Sequence, residues 1–335
     1  MSGARTAAEW PATPRAGPHA GGTPSAPAAG APGAATPGAL VWTRALSFRY
    51  RRDRAALGPV ELAVACGEIV ALAGPNGSGK STLLRLLAGD LRATSGTAVR
   101  AAGTSMGYAA DEAVHLDALD TRENAAFFAR VAGGGAAVAA VDRLLEVFGL
   151  GAEAATPAAE LSFGGRRKLL LVEALAHGPD LLLLDEPTVG LDAAAVAALE
   201  VELRAAAGAG GAVVMATNDL YAAEALATRV VFLHEGRVVA DAPPDVLLDC
   251  ARRATRIEVA VPPPRPSAVA FPPGVVALET PDGWTLEAAA GSAALPEVCA
   301  ALAAAGVRVE TLRVRPPDLA DAFAAVTGTA WREEA

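Results

Sequence analysis

One nine-residue stretch constrains this chain more than any other: Gly74-Pro75-Asn76-Gly77-Ser78-Gly79-Lys80-Ser81-Thr82. It follows a continuous apolar run, Ile69-Val70-Ala71-Leu72-Ala73, which reads as a buried strand. The stretch Ser81 to Ala88 reads as a helix ending at Gly89. Glycines in a G-x-x-x-x-G-K-[ST] pattern let backbone N–H groups close around phosphates. A helix starting near Lys80 aims the positive end of its dipole at the same point. Of 28 basic residues only Lys80 and Lys168 are lysines, and the chain contains no Gln. A compact ammonium suits a site between two phosphates, and a planar guanidinium does not replace it. Gly74, Asn76, Gly77, Gly79, Lys80, Ser81 and Thr82 are therefore candidate nucleotide-binding residues. Lys80 is expected to reach the β- and γ-phosphates, and Ser81 to hold Mg²⁺.

A second buried strand, Leu181-Leu182-Leu183-Leu184, runs into Asp185-Glu186-Pro187. An acidic pair at the end of a strand, in a chain with a phosphate loop, assigns two roles. Asp185 is expected to hold Mg²⁺, and Glu186 to act as general base for the attacking water. Two further apolar runs, Ala212 to Ala216 and Val230 to Leu233, have helical stretches between them. The alternation predicts an α/β fold with a parallel sheet core covered on both faces, and the phosphate loop makes the expected fold a P-loop NTPase.

Composition sets the outer limits. At 52% hydrophobic, 335 residues suffice for one large domain and a smaller one. A net charge of -9 argues against a general nucleic-acid binder. No 18-residue apolar run is free of charge or proline, so no transmembrane helix is expected. Cys66, Cys250 and Cys299 are scattered and fit a reducing cytoplasm. Residues 1–39 carry seven prolines and no periodicity, and read as a disordered tail. The ATPase domain is expected over 40–250. Pro262, Pro263, Pro264 and Pro266 mark a break, with a small α+β accessory domain over 256–330. Its strand candidates are Val275 to Leu278, Trp284 to Glu287 and Val307 to Arg313. Its helix candidates are Ala294 to Ala305 and Pro317 to Val326.

Between the phosphate loop and the acidic pair lies Leu161-Ser162-Phe163-Gly164-Gly165, with Ser162 placed as an N-cap. Gly190-Leu191-Asp192 follows the acidic pair. In this order the four motifs closely resemble the ATP-binding subunits of ABC transporters, over about Leu40 to Leu248. The resemblance implies an ABC-type helical subdomain that includes Thr121-Arg122-Glu123-Asn124, and Tyr50 stacking on adenine. It also implies a head-to-tail homodimer or heterodimer in which Ser162 and Gly164 complete the partner's γ-phosphate site and Asp192 couples the two sites. The stretch Leu312 to Phe323, with Thr327-Gly328, is similar to the tail of drug-resistance-type (ABC-2) exporter ATPases. The family resemblance implies ATP with Mg²⁺ as cofactors, and the tail narrows the function to export through a permease in a separate chain. The protein would then sit at the inner face of the cell membrane through that partner.

Three positions depart from the family pattern. Asp111 stands where the family has Gln after Gly107-Tyr108-Ala109-Ala110, and Asn218 stands where it has His before Asp219. Asp111 keeps a possible Mg²⁺ contact but adds negative charge near the γ-phosphate. Asn218 can donate a hydrogen bond but cannot shuttle a proton. Both imply slow hydrolysis. The alternative function is a regulatory ABC subunit that binds ATP with little turnover beside a competent partner. Glu173 replaces a usual Arg, and the sequence offers no account of it. An ABC protein acting on ribosomes or DNA is a third class, which usually carries two cassettes or a long coiled-coil insertion; neither is seen.

Overall fold

The computed structural model describes residues 7–9, 38–51, 54–111, 115–133, 135–251, 255–262, 269–288 and 291–331. They divide into two compact units, the first ending at Pro243 and the second running from Pro244.

In the first unit the strands are β1 (Ala7–Glu9), β2 (Ala39–Arg51), β3 (Arg54–Val60), β4 (Ala63–Ala65), β5 (Ile69–Ala73) and β6 (Ser95–Ala101). They continue with β7 (Met106–Ala109), β8 (Leu181–Asp185), β9 (Ala212–Thr217), β10 (Arg229–His234) and β11 (Arg237–Ala242). The helices are α1 (Lys80–Ala88), α2 (Thr121–Gly133), α3 (Val141–Val147), α4 (Phe163–Leu175), α5 (Ala193–Gly208) and α6 (Leu220–Leu226).

The central sheet runs β11-β10-β5-β9-β8-β7. All its neighbours are parallel except β11, which lies antiparallel to β10. Strands β5, β8 and β9 are buried at every residue, which is why their sequences are unbroken apolar runs. A second, antiparallel sheet runs β1-β6-β2-β3, with β4 beside β2. Helix α1 packs on β8 and β9 of one sheet and β3 of the other. Leu83, Leu84 and Leu87 are fully buried among Leu46, Leu57, Val60, Leu72 and Val214. This packing fixes the helix N-terminus at the C-terminal end of β5. Helices α2, α3 and α4 pack on one another as a helical subdomain.

Two boundaries differ from the sequence expectation. Ala7–Glu9 is not an irregular tail segment: it pairs antiparallel with Val99 to Ala101 of β6. The rest of that tail up to residue 37 lies outside the described residues. The second unit begins at Pro244 rather than 256, because α7 (Pro244–Ala251) packs on α9 (Leu319–Thr327). Its sheet, order β13-β14-β12-β15, joins β12 (Thr255–Ala260), β13 (Val275–Thr280), β14 (Gly283–Ala288) and β15 (Thr311–Arg315), all antiparallel. Helix α8 (Leu295–Ala304) lays Val298 and Leu302 on Ile257, Val259, Trp284 and Leu286. Helix α9 explains the tail motif locally. Asp318 and Asp321 form a reciprocal capping box, Leu319 and Phe323 are buried, and Gly328 ends the helix at φ 70°.

Candidate functional site: a phosphate loop facing an acidic strand end

The loop between β5 and α1 is shaped by its glycines. A Cβ on Gly74 would lie 2.3 Å from the Leu233 carbonyl and 2.5 Å from Ser78 Oγ, so no larger residue fits. Gly79 caps α1 at φ 105°, in the left-handed region that favours glycine. Lys80 is buried, and its Nζ donates to the Gly74 carbonyl at 2.7 Å while lying 3.7 Å from Glu186 Oε1. Burial lowers the Lys80 pKa, and the Glu186 and Asp185 carboxylates oppose that shift. Ser81 Oγ donates to Asp185 Oδ1 at 3.0 Å. Tyr50, at the end of β2, is exposed, with its hydroxyl 3.2 Å from Thr82 Oγ1 and its ring edge-on to Phe48.

Asp185 ends β8, and Glu186 follows at φ 46°, a left-handed backbone unusual for a side-chain-bearing residue. Such strain costs of order 1–3 kcal/mol and collects at functional sites. It is held by a network. The Glu186 N–H donates to the Ala216 carbonyl at 2.9 Å, and Glu186 Oε2 accepts from the Asn218 N–H at 3.1 Å. Asn218 thus reaches Glu186 through its backbone. Burial raises the pKa of Glu186, opposed by the Asn218 N–H and by Lys80. Burial also raises that of Asp185, opposed by the Ser81 hydrogen bond.

The residues present fit a nucleotide phosphate with a hard cation. A cation, a hydroxyl and two carboxylates converge, with oxygen ligands of the kind Mg²⁺ takes. Ser78 Oγ is buried in the loop with no hydrogen-bond partner. The structure brings together Gly74, Asn76, Gly77, Gly79, Lys80, Ser81 and Thr82 on one loop and helix start, with Asp185, Glu186 and Asn218 at neighbouring strand ends.

Ser162, Gly164 and Asp192 form a second group. Ser162 Oγ accepts from the Gly165 N–H at 3.0 Å, capping α4 as its sequence position suggests. A Cβ on Gly164 would lie 2.8 Å from the Gly190 carbonyl. Asp192 caps α5 and pairs with Lys168, the second of the two lysines. Asp111, in the loop after β7, has a largely exposed carboxylate 3.6 Å from Arg167 Nη1.

Two features escape sequence reading. Arg167 is buried among these loops, although its sequence neighbourhood reads only as a helix start. Glu173 is explained by His115. Their side chains are buried, with Oε1 3.1 Å from Nδ1, and His115 Nε2 lies 3.1 Å from the Arg166 carbonyl. Burial raises the Glu173 pKa, and the hydrogen bond from His115 opposes it. The usual Arg at 173 would set a cation against this imidazole. We expect Glu173→Arg to lower the unfolding free energy by about 3–5 kcal/mol, since it leaves a buried charge uncompensated. Urea denaturation checks this, and an unchanged midpoint contradicts it.

The fold and the site define a P-loop nucleotide-binding cassette. The family model for the ABC transporter matches residues 57–189. The chain is 33% identical over 315 residues to a daunorubicin resistance ATP-binding protein of Streptomyces coeruleorubidus, covering 87% of this chain and 96% of that one. It is 36% identical over 209 residues to a zinc import ATP-binding protein of Roseobacter denitrificans, covering 62% and 80%. It is 35% identical over 234 residues to a fluoroquinolones export ATP-binding protein of Mycobacterium tuberculosis, covering 65% and 76%. A solved ATP binding subunit of an ABC transporter superposes with a TM-score of 0.57 at 29% identity, covering 63% of this chain and 92% of that one. The chain belongs to the ABC transporter family, as an ATP-binding subunit with ATPase activity.

Proposed function

We propose that this chain drives export through a membrane permease carried on a separate chain. The convergence of Lys80, Ser81, Asp185 and Glu186 at one site carries the ATP-driven part of this reading. Lys80 and the loop backbone bind the β- and γ-phosphates. Ser81 and Asp185, with Asp111 at the rim, hold Mg²⁺. Glu186, fixed by the Asn218 N–H, takes the proton from water. Magnesium, when bound, neutralises phosphate charge and orients the oxygens. Tyr50 offers its exposed ring to adenine. Ser162 and Gly164 act on the nucleotide of a partner copy, and Asp192 couples the two sites. Export is favoured because the similarity to the daunorubicin resistance protein spans 87% of this chain, beyond the cassette itself. Among the described residues no helix is long and apolar enough to cross a membrane, so attachment to the inner face falls to the permease.

Asp111 and Asn218 favour a second reading, a regulatory subunit with little turnover. Positioning and charge stabilisation supply most of phosphoryl-transfer catalysis, so each altered contact costs about 10²-fold by analogy with single electrostatic donors. We expect Asp111→Gln and Asn218→His each to raise steady-state ATP hydrolysis, and the double variant to raise it most. A fast wild type, unchanged by either substitution, would show that Asp111 and Asn218 serve turnover as they stand.

A further inference from the structure

We propose that Arg167 is the positioning residue of the hydrolytic site, joining the start of α4 to the general base and to Asp111. The inference rests on the function proposed above for Glu186. The Arg167 side chain is 5% exposed, and its planar fork spans two loops. Nη2 donates to the Glu186 carbonyl at 2.8 Å and lies 3.4 Å from that of Asp185. Nη1 donates to the Asp111 carbonyl, and its distances are 3.4 Å to the Ala110 carbonyl and 3.6 Å to Asp111 Oδ1. Glu186 sits at φ 46°, so its peptide needs outside support. Arg167 supplies it from α4, five residues past the Ser162 cap. The guanidinium also faces the Asp111 carboxylate, offsetting the charge that Asp adds beside the γ-phosphate. Neutral Gln at 111 would not need this partner. A lysine ammonium is a point charge that cannot bridge two loops as a fork does.

The test compares wild type, Arg167→Lys, Arg167→Gln, Asp111→Asn and Arg167→Gln/Asp111→Asn, each checked for folding by circular dichroism. Mg-ATP affinity comes from calorimetry, and kcat and KM from single-turnover and steady-state phosphate release. We expect Arg167→Lys and Arg167→Gln to lower kcat at least about tenfold, with ATP affinity and KM within about threefold of wild type. Removing the opposing charge in the double variant should restore part of the loss in Arg167→Gln. An unchanged kcat in a folded Arg167→Lys or Arg167→Gln would overturn the proposal. So would kcat and ATP affinity falling together, as a merely structural residue would cause. If Arg167→Gln does not fold, Arg167→Lys decides. Wild type and Glu186→Gln separate the two ideas. Failure of wild type to bind Mg-ATP, or hydrolysis unaffected by Glu186→Gln, would overturn the function reading itself.

Discussion

Lys80→Ala should abolish or greatly weaken Mg-ATP binding. The ammonium is buried and held by the Gly74 carbonyl at 2.7 Å, at the mouth of a helix whose N-terminal end faces the same loop. Removing one partner of a desolvated charge pair costs on the order of 2–5 kcal/mol. That is roughly 30- to 5,000-fold in Kd. Ala also leaves Glu186 without the ammonium 3.7 Å away and removes a positive charge that acts on Asp185, so the phosphates would meet less compensated carboxylates. Calorimetry measures the loss directly. Equal affinity in wild type and variant would contradict the assignment of this loop.

Glu186→Gln should stop turnover and spare binding. A positioned general base contributes typically 10²–10⁴-fold, so phosphate release should fall by about that factor. Gln keeps the size of the side chain, and its carbonyl oxygen can still accept from the Asn218 N–H. The left-handed backbone at φ 46° strains both residues alike, so the fold should persist. Loss of ATP affinity in parallel with rate would place Glu186 in binding rather than in proton transfer.

What could be read in the sequence divides along a physical line. Strands β5, β8, β9 and β10 are buried nearly throughout, so each appears as an apolar run whose limits the sequence marks to within a residue or so. The phosphate loop, the acidic pair and the Ser162 cap depend on local backbone chemistry and were equally readable. Strands β2, β3 and β6 escape the same reading. They are antiparallel, β6 has an exposed start, and the register shifts where β2 meets its neighbours. Helix α7 belongs with α9 through a contact across some seventy residues, which no local pattern carries. Glu173 and His115 are 58 residues apart, and each looks out of place alone. Arg167 looks like one basic residue among three, until packing turns it inward and leaves Arg166 bonded to the Leu161 carbonyl.

Co-expression of the full chain with its cognate permease, followed by membrane fractionation, tests most directly whether this chain energises a permease on another chain. Expressed without the permease, the chain should stay in the soluble fraction, and it should move to the membrane fraction when the permease is present. A chain that remained wholly soluble beside its permease would contradict that role.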